Sequence, residues 1–198
     1  MSRSTRYHHG DLHAALLREA GALLREQGVE GLSLRRLAER AGVSRTAPYH
    51  HFPDKNALLC ALAEQGFGRL NALMDDITVD PANPEPGLRR FVRAYLRFAS
   101  DDPEQYELMF GRTLWKAGQP GADLKAVAYR CFRRYVERLQ PLVGGPAAAD
   151  VLRVAQASWA TLHGLCRLLL DGIYLHREDM EAVSDQAVNL MLAAAAAR

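Results

Sequence analysis

Residues 33–55 constrain the fold most, because they predict two short amphipathic helices around a tight turn. In the first helix the apolar residues recur at i, i+3, i+4 and i+7, the spacing of one buried stripe: Leu34, Leu37, Ala38 and Ala41. Ser33 is a natural N-cap, and Gly42 stands where a left-handed C-cap is required. A helix, a short turn containing Gly and a second helix predict a helix-turn-helix.

The second helix of this motif separates its side chains onto two faces. One face is polar and carries no acid: Arg45, Thr46, Tyr49 and His50. Pro48 and Phe52 lie on the other face, and Pro48 falls in the first turn, where its missing N–H costs least. Such a polar face favours contact with DNA over a plain structural hairpin, which the turn sequence alone leaves open. Arg45 can pair with guanine in the major groove.

Further residues of this region are predicted to contact the DNA backbone. Lys55 follows Asp54, which is placed to cap the next helix, and a helix start offers N–H groups and a positive dipole end to a phosphate. Tyr49, His50 and His51 can donate to phosphates. The residues predicted to bind DNA are Ser33, Arg35, Ser44, Arg45, Thr46, Ala47, Tyr49, His50, His51 and Lys55.

Positive charge is concentrated around this motif although the whole chain has a net charge of only +2. Residues 1–60 hold nine Arg or Lys, six Asp or Glu, and five of the seven histidines. This distribution is typical of a local nucleic-acid footprint. Residues 1–9 are predicted to be a flexible basic arm, which either reaches DNA or has no role. His8 and His9 lack nearby partners for a metal, so no metal site is expected.

Composition indicates a soluble globular protein, with 48% hydrophobic and 24% charged residues. No apolar run is long enough to cross a membrane, and the N-terminus has no secretory h-region. The cysteines, Cys60, Cys131 and Cys166, form no zinc or disulfide pattern, which favours burial in a cytoplasmic protein. No catalytic constellation is recognisable, so neither an enzyme nor a cofactor is expected.

The region 12–62 resembles the DNA-binding domain of TetR-family transcriptional regulators. The matching residues are Gly28, Leu32-Ser33-Leu34, Leu37-Ala38, Ala41-Gly42-Val43-Ser44, Tyr49, His51-Phe52, Lys55 and Leu58-Leu59. The family usually has Leu, Ile or Val where this chain has Pro48. Ala47-Pro48-Tyr49, Trp159, His163-Gly164 and the stretch 103–111 are similar to a subgroup with a Trp-His-Gly signature.

The predicted fold is all-α, with about nine helices and no sheet. A three-helix helix-turn-helix head, residues 1–56, is expected to precede a larger helical body, residues 57–198, for ligand binding and dimerisation. Three prolines place a loop at 80–86. Long helices are predicted at 147–171 and 178–197.

The resemblance implies an apolar ligand cavity between the helices of the body. The residues assigned to it are Tyr95, Met109, Phe110, Trp115, Tyr129, Trp159 and His163. Aromatic side chains at helical spacing are also what a plain core requires, and His163 can equally be a core histidine with satisfied hydrogen bonds.

Taken together, the residues and the resemblance predict a ligand-responsive repressor that binds a pseudo-palindromic operator as a homodimer. Its effector is expected to be small and largely apolar. The dimer is expected to form through the last two helices, along Val183, Ala187, Leu190, Met191 and Ala194. The alternatives are an all-α small-molecule binding protein without DNA binding and a constitutive DNA binder without a ligand.

Overall fold

The computed structural model describes residues 9–143 and 148–196, and within these ranges the chain is helical. An isolated bridge between Asp80 and Asn83 closes the predicted loop, and no strand is present in the described ranges. The α-helices are α1 (His9–Gly31), α2 (Leu34–Ala41), α3 (Lys55–Asp76), α4 (Glu85–Asp101), α5 (Pro103–Phe110), α6 (Ala122–Leu139), α7 (Ala148–Asp171) and α8 (Met180–Ala196).

Three shorter elements complete the described part of the chain. They are 3-10 helices at Ala47–His50 and Arg177–Asp179 and a π-helix at Thr113–Ala117. The all-α prediction is confirmed, with eight α-helices in the described ranges where about nine helices were expected.

The regular backbone of α1 ends at Gly28, as predicted, because this residue adopts φ 64°. A side chain rarely tolerates this left-handed conformation, whereas glycine does. Of the predicted basic arm, residues 1–8 lie outside the described part, and α1 already begins at His9. The turn predicted at 144–146 also lies outside it.

The chain forms two compact units, and the boundary between residues 66 and 67 divides α3 between them. The first comprises residues 1–66 and 104–125, and the second comprises residues 67–103 and 126–198. Compared with the domain boundary predicted after residue 56, the first unit is longer and includes α5 and the π-helix.

In the first unit, α3 and α5 approach closely at a glycine. A Cβ built on Gly66 would lie 2.7 Å from the Nε2 atom of Gln105 and would also collide with Met109. Gln105 is buried there, and its amide donates to the Leu62 carbonyl (2.9 Å). The absence of a side chain at position 66 therefore allows the contact that holds these two helices together.

In the second unit, α4 packs against α7 and α8. Its core contains an aromatic cluster, which we define as Phe91, Tyr95, Phe132, Tyr135 and Trp159. On the outer side of α4, Arg89 and Arg93 form ion pairs with Asp185 of α8, at 2.7 and 3.0 Å. Apolar packing and charge pairing thus both join α4 to α8.

Replacing Gly66 with Ala should destabilise the protein by about 1–3 kcal/mol, because the new methyl group overpacks the contact with Gln105 and Met109. Gly68→Ala is the matched control on the same helix, since no atom lies within 4 Å of its added Cβ. That control should stabilise α3 by up to about 1 kcal/mol through helix propensity. Urea unfolding of both variants measures the difference, and equal effects would contradict the close approach.

Candidate nucleic-acid interface

The segment predicted as the second helix of the motif is a single four-residue 3-10 helix, Ala47–His50. Pro48 has no N–H and cannot donate an i→i−4 bond to the Ser44 carbonyl, although its own carbonyl accepts one from the Phe52 N–H (2.8 Å). The backbone instead closes i→i−3 bonds, from Ala47 to Ser44 (3.0 Å) and from Tyr49 to Thr46 (3.1 Å). Ser44 therefore contributes its carbonyl, and its hydroxyl pairs with that of Thr46 (3.2 Å) rather than capping a helix.

The two faces of this segment are distributed as its residue pattern predicts. Pro48 and Phe52 are buried. The polar residues of the opposite face are exposed: Arg45, Thr46, Tyr49 and His50. Tyr49 has an exposed fraction of 55%, which is high for a large aromatic side chain. This exposed face, which we call the recognition face, carries no carboxylate and has hydrogen-bonding groups suited to base edges and phosphates.

Helix α2 is held in place by its two caps. The Ser33 hydroxyl accepts a hydrogen bond from the Arg36 N–H (3.2 Å). At the other end Gly42 adopts φ 65°, and its N–H bonds to α2 carbonyls. Both caps were predicted from the sequence and both are confirmed.

Arg40 fixes α2 against α1 through two carboxylates. Its guanidinium pairs with Glu19 at 3.0 Å and with Glu26 at 2.5 Å. These bonds raise the pKa of Arg40, and the hydrogen bond from Arg40 lowers the pKa of Glu26 below its ordinary value. These two ion pairs of Arg40 were not predicted from the sequence, although Glu19 and Glu26 are seven residues apart on one side of α1.

The remaining basic residues of the motif differ in whether they have partners. Arg35 pairs with Glu39 one turn further along α2 (3.2 Å), and Arg36 donates to Gln27 (2.7 Å). Arg45 and Lys55 form no ion pair with any residue in the described ranges. Their charge is therefore available to a partner, whereas that of Arg35 is partly compensated.

His51 lies beside the recognition face and contacts other rings. Its ring centroid is 5.6 Å from that of His13 in α1, and His13 lies 5.1 Å from Phe52. His51 is half-buried, so its side chain is held against α1 while its neighbour His50 is exposed. This arrangement leaves His51 a smaller exposed surface for phosphate contact than His50.

The start of α3 is capped as predicted, since Asp54 accepts a hydrogen bond from the Ala57 N–H (2.7 Å). A second anchor was not predicted. The Asn56 side chain donates to the Gln119 carbonyl (3.0 Å) and accepts from the Gln119 N–H (3.4 Å). These residues are 63 positions apart, so local sequence carries no signal for their pairing. The pair fixes the helix turn that carries Lys55.

Three of the residues predicted to bind a ligand belong to the first unit. Met109 is buried, and Phe110 lies 4.8 Å from the Tyr106 ring. The indole N–H of Trp115 donates to the Met109 carbonyl (2.6 Å), which holds the π-helix against α5.

The other four belong to the second unit. Tyr95 and Trp159 pack edge to face, with ring centroids 5.4 Å apart, inside the aromatic cluster. Tyr129 is 70% exposed, and His163 is half-buried. Two of the four are brought together, and the ligand-binding role of the set stays a prediction.

Within residues 9–143 and 148–196, no group of His, Cys, Asp and Glu side chains is arranged to hold a metal ion. Across the same ranges, every helix is too short or too polar to cross a membrane. Cys60, Cys131 and Cys166 are free and buried, as predicted. Burial raises the pKa of the Cys131 thiol to about 12, which keeps it protonated.

Comparison with known proteins agrees with the geometry of the motif. The family model described as "Bacterial regulatory proteins, tetR family" matches residues 16–62. The model described as "Tetracyclin repressor-like, C-terminal domain" matches residues 88–194, which is more than half of the chain. The chain belongs to the TetR family.

Among TetR-family relatives, the tetracycline repressor protein class C of Escherichia coli is 58% identical over 50 residues, which cover 25% of this chain and 23% of that protein. The transcriptional repressor AcnR of Corynebacterium glutamicum is 36% identical over 94 residues, covering 48% of this chain and 43% of AcnR. The chain thus spans less than half the length of these curated relatives.

A solved structure of a protein of unknown function from Rhodococcus sp. RHA1 matches nearly the whole chain. It is 32% identical, has a TM-score of 0.74, and the match covers 94% of this chain and 98% of the other. The all-helical fold is therefore shared over nearly the full length of both chains.

Acid should weaken the link between α1 and α2. A carboxyl whose pKa is lowered by folding, as for Glu26, adds stability above its unfolded value, near 4.5, and that stability is lost as pH falls through the folded pKa. The thermal midpoint of the protein should therefore exceed that of Arg40→Gln at neutral pH, and the gap should shrink below about pH 4.5. Circular dichroism melts across this range measure it.

Arg35→Gln is the control for this experiment, because Arg35 pairs with Glu39 on its own exposed helix face. At neutral pH the thermal midpoint of Arg35→Gln should lie closer to that of the unmodified protein than the midpoint of Arg40→Gln does. A gap for Arg40→Gln that stays constant down to about pH 3, a value well below the ordinary carboxyl pKa, would contradict the assigned role of Glu26.

Proposed function

We propose that the protein is a ligand-responsive transcriptional repressor that acts as a homodimer on a pseudo-palindromic operator in the cytoplasm. The observation that carries the DNA-binding part is the recognition face. It combines an arginine without an ion-pair partner in the described ranges with exposed Thr46, Tyr49 and His50, and it lacks carboxylates.

The recognition face supports a division between base and phosphate contacts. Arg45 opens the face and is placed to reach a guanine edge in the major groove. Lys55 and the first N–H groups of α3 suit phosphates, since a helix start carries partial positive charge. Asn56 holds this helix start through Gln119, so the phosphate contacts are pre-positioned.

The repressor direction is supported by the two relatives described above. The tetracycline repressor and AcnR are both named repressors, and the tetracycline repressor match extends over a quarter of the chain. In such a regulator the effector lowers operator affinity only by binding more tightly to a conformation that fits DNA less well.

A homodimer is supported by the exposed apolar surface of α7 and α8. Leu152 and Leu168 on α7 and Leu190 on α8 are 42%, 37% and 58% exposed. Ala157 is also exposed and lies on the same side of α7 as Leu168, eleven residues earlier. A four-helix interface of about 2,000 Å² or more would cover this surface in a stable dimer.

The stripe predicted on α8 is divided between two environments. Ala187 and Met191 are buried within their own chain, with exposed fractions of 3% and 7%. Leu190 faces outwards, Val183 is half-buried, and the side chain of Ala194 lies outside the described residues. Leu190 is therefore the position at which the proposed interface is best tested.

Arg45→Ala should weaken operator binding by about 1–3 kcal/mol and relax the preference at one base pair of each half-site. The reason is that the base contact disappears while the phosphate contacts persist. Fluorescence anisotropy with an operator and its single-base variants measures both effects. Equal weakening on every sequence would contradict base recognition by Arg45.

Lys55→Ala should weaken binding to specific and to nonspecific DNA to a similar extent, because a phosphate contact carries no sequence information. The slope of log K against log salt should fall by about 0.9 for each phosphate that the variant no longer neutralises. Lys116→Ala is the control, since this exposed lysine lies outside the motif. An unchanged slope for Lys55→Ala would remove that residue from the interface.

Leu190→Glu should dissociate the dimer at low micromolar concentration, because it buries an unpaired charge in the proposed interface. Tyr129→Glu is the control, as it changes an aromatic side chain that is 70% exposed on α6. Sedimentation velocity over a range of concentrations measures the association. A dimer of equal strength in both variants would place the interface elsewhere.

A further inference from the structure

The second unit contains a cavity of about 210 Å³ beside α7 and α8, which we call the inner cavity. Its walls come from the 81–84 loop, α4, the end of α6 and the residues after it, α7 and α8. The lining residues are Pro81, Pro84, Leu88, Leu139, Pro141, Leu142, Val143, Val154, Ser158, Met191 and Leu192. Because these segments are distant in sequence, the cavity is formed by the tertiary fold and not by one loop.

The inner cavity continues into a more open groove between α7 and α8, of about 280 Å³, which we call the outer groove. Val154, Ser158 and Met191 line both spaces. Ala157 and Leu190 line only the groove and belong to the surface assigned above to the dimer interface, and Arg153 also lines the groove. A molecule in the inner cavity would thus touch the same two helices that the partner subunit is proposed to contact.

The lining of the inner cavity selects against charged molecules. Ser158 supplies the one polar side chain among the residues that line it, and none of them is charged. A charged group placed there would lose part of its hydration without gaining a counter-ion among the lining residues, which is unfavourable. Apolar molecules lose little on entry and gain contact with Leu, Val and Pro side chains.

The hydrogen bonds of Ser158 determine which polar group of a ligand can bind in the inner cavity. Its hydroxyl donates to the Val154 carbonyl (2.7 Å) and accepts from the Tyr135 hydroxyl (2.8 Å). Burial raises the pKa of Tyr135 to about 12, so this phenol remains a donor at physiological pH. A serine hydroxyl has one donor and two acceptor sites. One acceptor site is left, which suits an O–H or N–H group of a ligand.

The size of the inner cavity suits two fused rings or a short branched chain, and a third ring can extend towards the adjoining outer groove. An engineered apolar cavity of about 150 Å³ is large enough to bind benzene. The inner cavity is larger and adjoins the outer groove, so a second ring or a short chain has room. By contrast, Tyr95 and Trp159, which were predicted to bind the ligand, pack against each other's rings and do not line either space.

We propose that the inner cavity is a binding site for an uncharged, largely apolar small molecule with one hydrogen-bond donor, which is accepted by the Ser158 hydroxyl. The assignment of this site to the effector rests on the proposed function. Occupation presses on Val154 of α7 and Met191 of α8, and so changes the separation of the helices that carry the proposed dimer interface.

The probe for this site is N-phenyl-1-naphthylamine, which is uncharged, apolar and has a single N–H. Its fluorescence should rise on titration of the full chain without DNA and saturate at one molecule per chain. Leu192→Trp and Leu142→Trp fill the inner cavity from two different walls and should each weaken binding at least tenfold. Ile173→Trp, at a residue that is 49% exposed and lines neither space, should bind as the unmodified chain does.

Two further comparisons test the ligand class. Ser158→Ala should weaken the affinity for the probe about 2- to 10-fold, which is the effect of one hydrogen bond. It should leave competition by 1-phenylnaphthalene, which lacks the N–H, unchanged. The sulfonated probe 1-anilinonaphthalene-8-sulfonate should bind at least tenfold more weakly than the uncharged one.

Unchanged binding in a folded Leu192→Trp or Leu142→Trp chain would overturn the site, as would an equal loss in Ile173→Trp. Equal affinity for the sulfonate would overturn the ligand class. Circular dichroism establishes that each variant is folded, and the two walls provide independent tests. Arg45→Ala should bind the probe normally, so failure of this proposal is distinguishable from failure of DNA binding.

Discussion

The burial of Pro48 and Phe52 decides which side chains the recognition segment presents to its surroundings. Because Pro48 has no N–H, the Ser44 carbonyl accepts instead from the Ala47 N–H, in an i→i−3 bond (3.0 Å). With the apolar side turned inwards against α2, the polar residues have only the outer side available. The proposed contact with DNA depends on this orientation more than on the net charge of the chain.

Two arginines of the head, Arg36 and Arg40, bind other residues of the head. Arg40 joins α2 to two carboxylates of α1, and Arg36 binds Gln27 and the Gly31 carbonyl. Such pairs are exposed and individually weak, but they set the angle between the helices. Arg45 is different, because it lies beyond α2 and contacts no carboxylate in the described ranges. Arg36 and Arg40 thus differ in their partners from Arg45, the arginine that we propose to contact a base.

Helix positions could be predicted from the sequence because apolar periodicity and caps are local properties. Ser33, Gly42 and Asp54 cap helices as their residue types indicate. The 3-10 geometry around Pro48 was missed, since an apolar pattern does not distinguish a short 3-10 turn from an α-helix. The Asn56–Gln119 pair was missed as well, because it joins residues that only the tertiary fold brings together.

The ligand-binding residues assigned to the body from the sequence stay a prediction. The inner cavity proposed above was not predicted from the sequence. Aromatic residues such as Tyr95 and Trp159 have the size and polarity of ligand-binding residues, but the same properties make them good core residues. The inner cavity is instead lined mainly by Pro, Leu and Val side chains from several segments, which no single stretch of sequence marks. Where a cavity forms depends on how the helices pack, and this information is absent from local patterns.

The central claim is that the recognition face reads DNA as a two-fold pair. Selection from a random duplex library with the full chain, followed by sequencing of the bound DNA, tests it most directly. We expect enrichment of an inverted repeat whose half-sites are centred about one helical turn apart or a multiple of it. Recovery of unenriched sequences, or of a single asymmetric site bound by one chain, would contradict it.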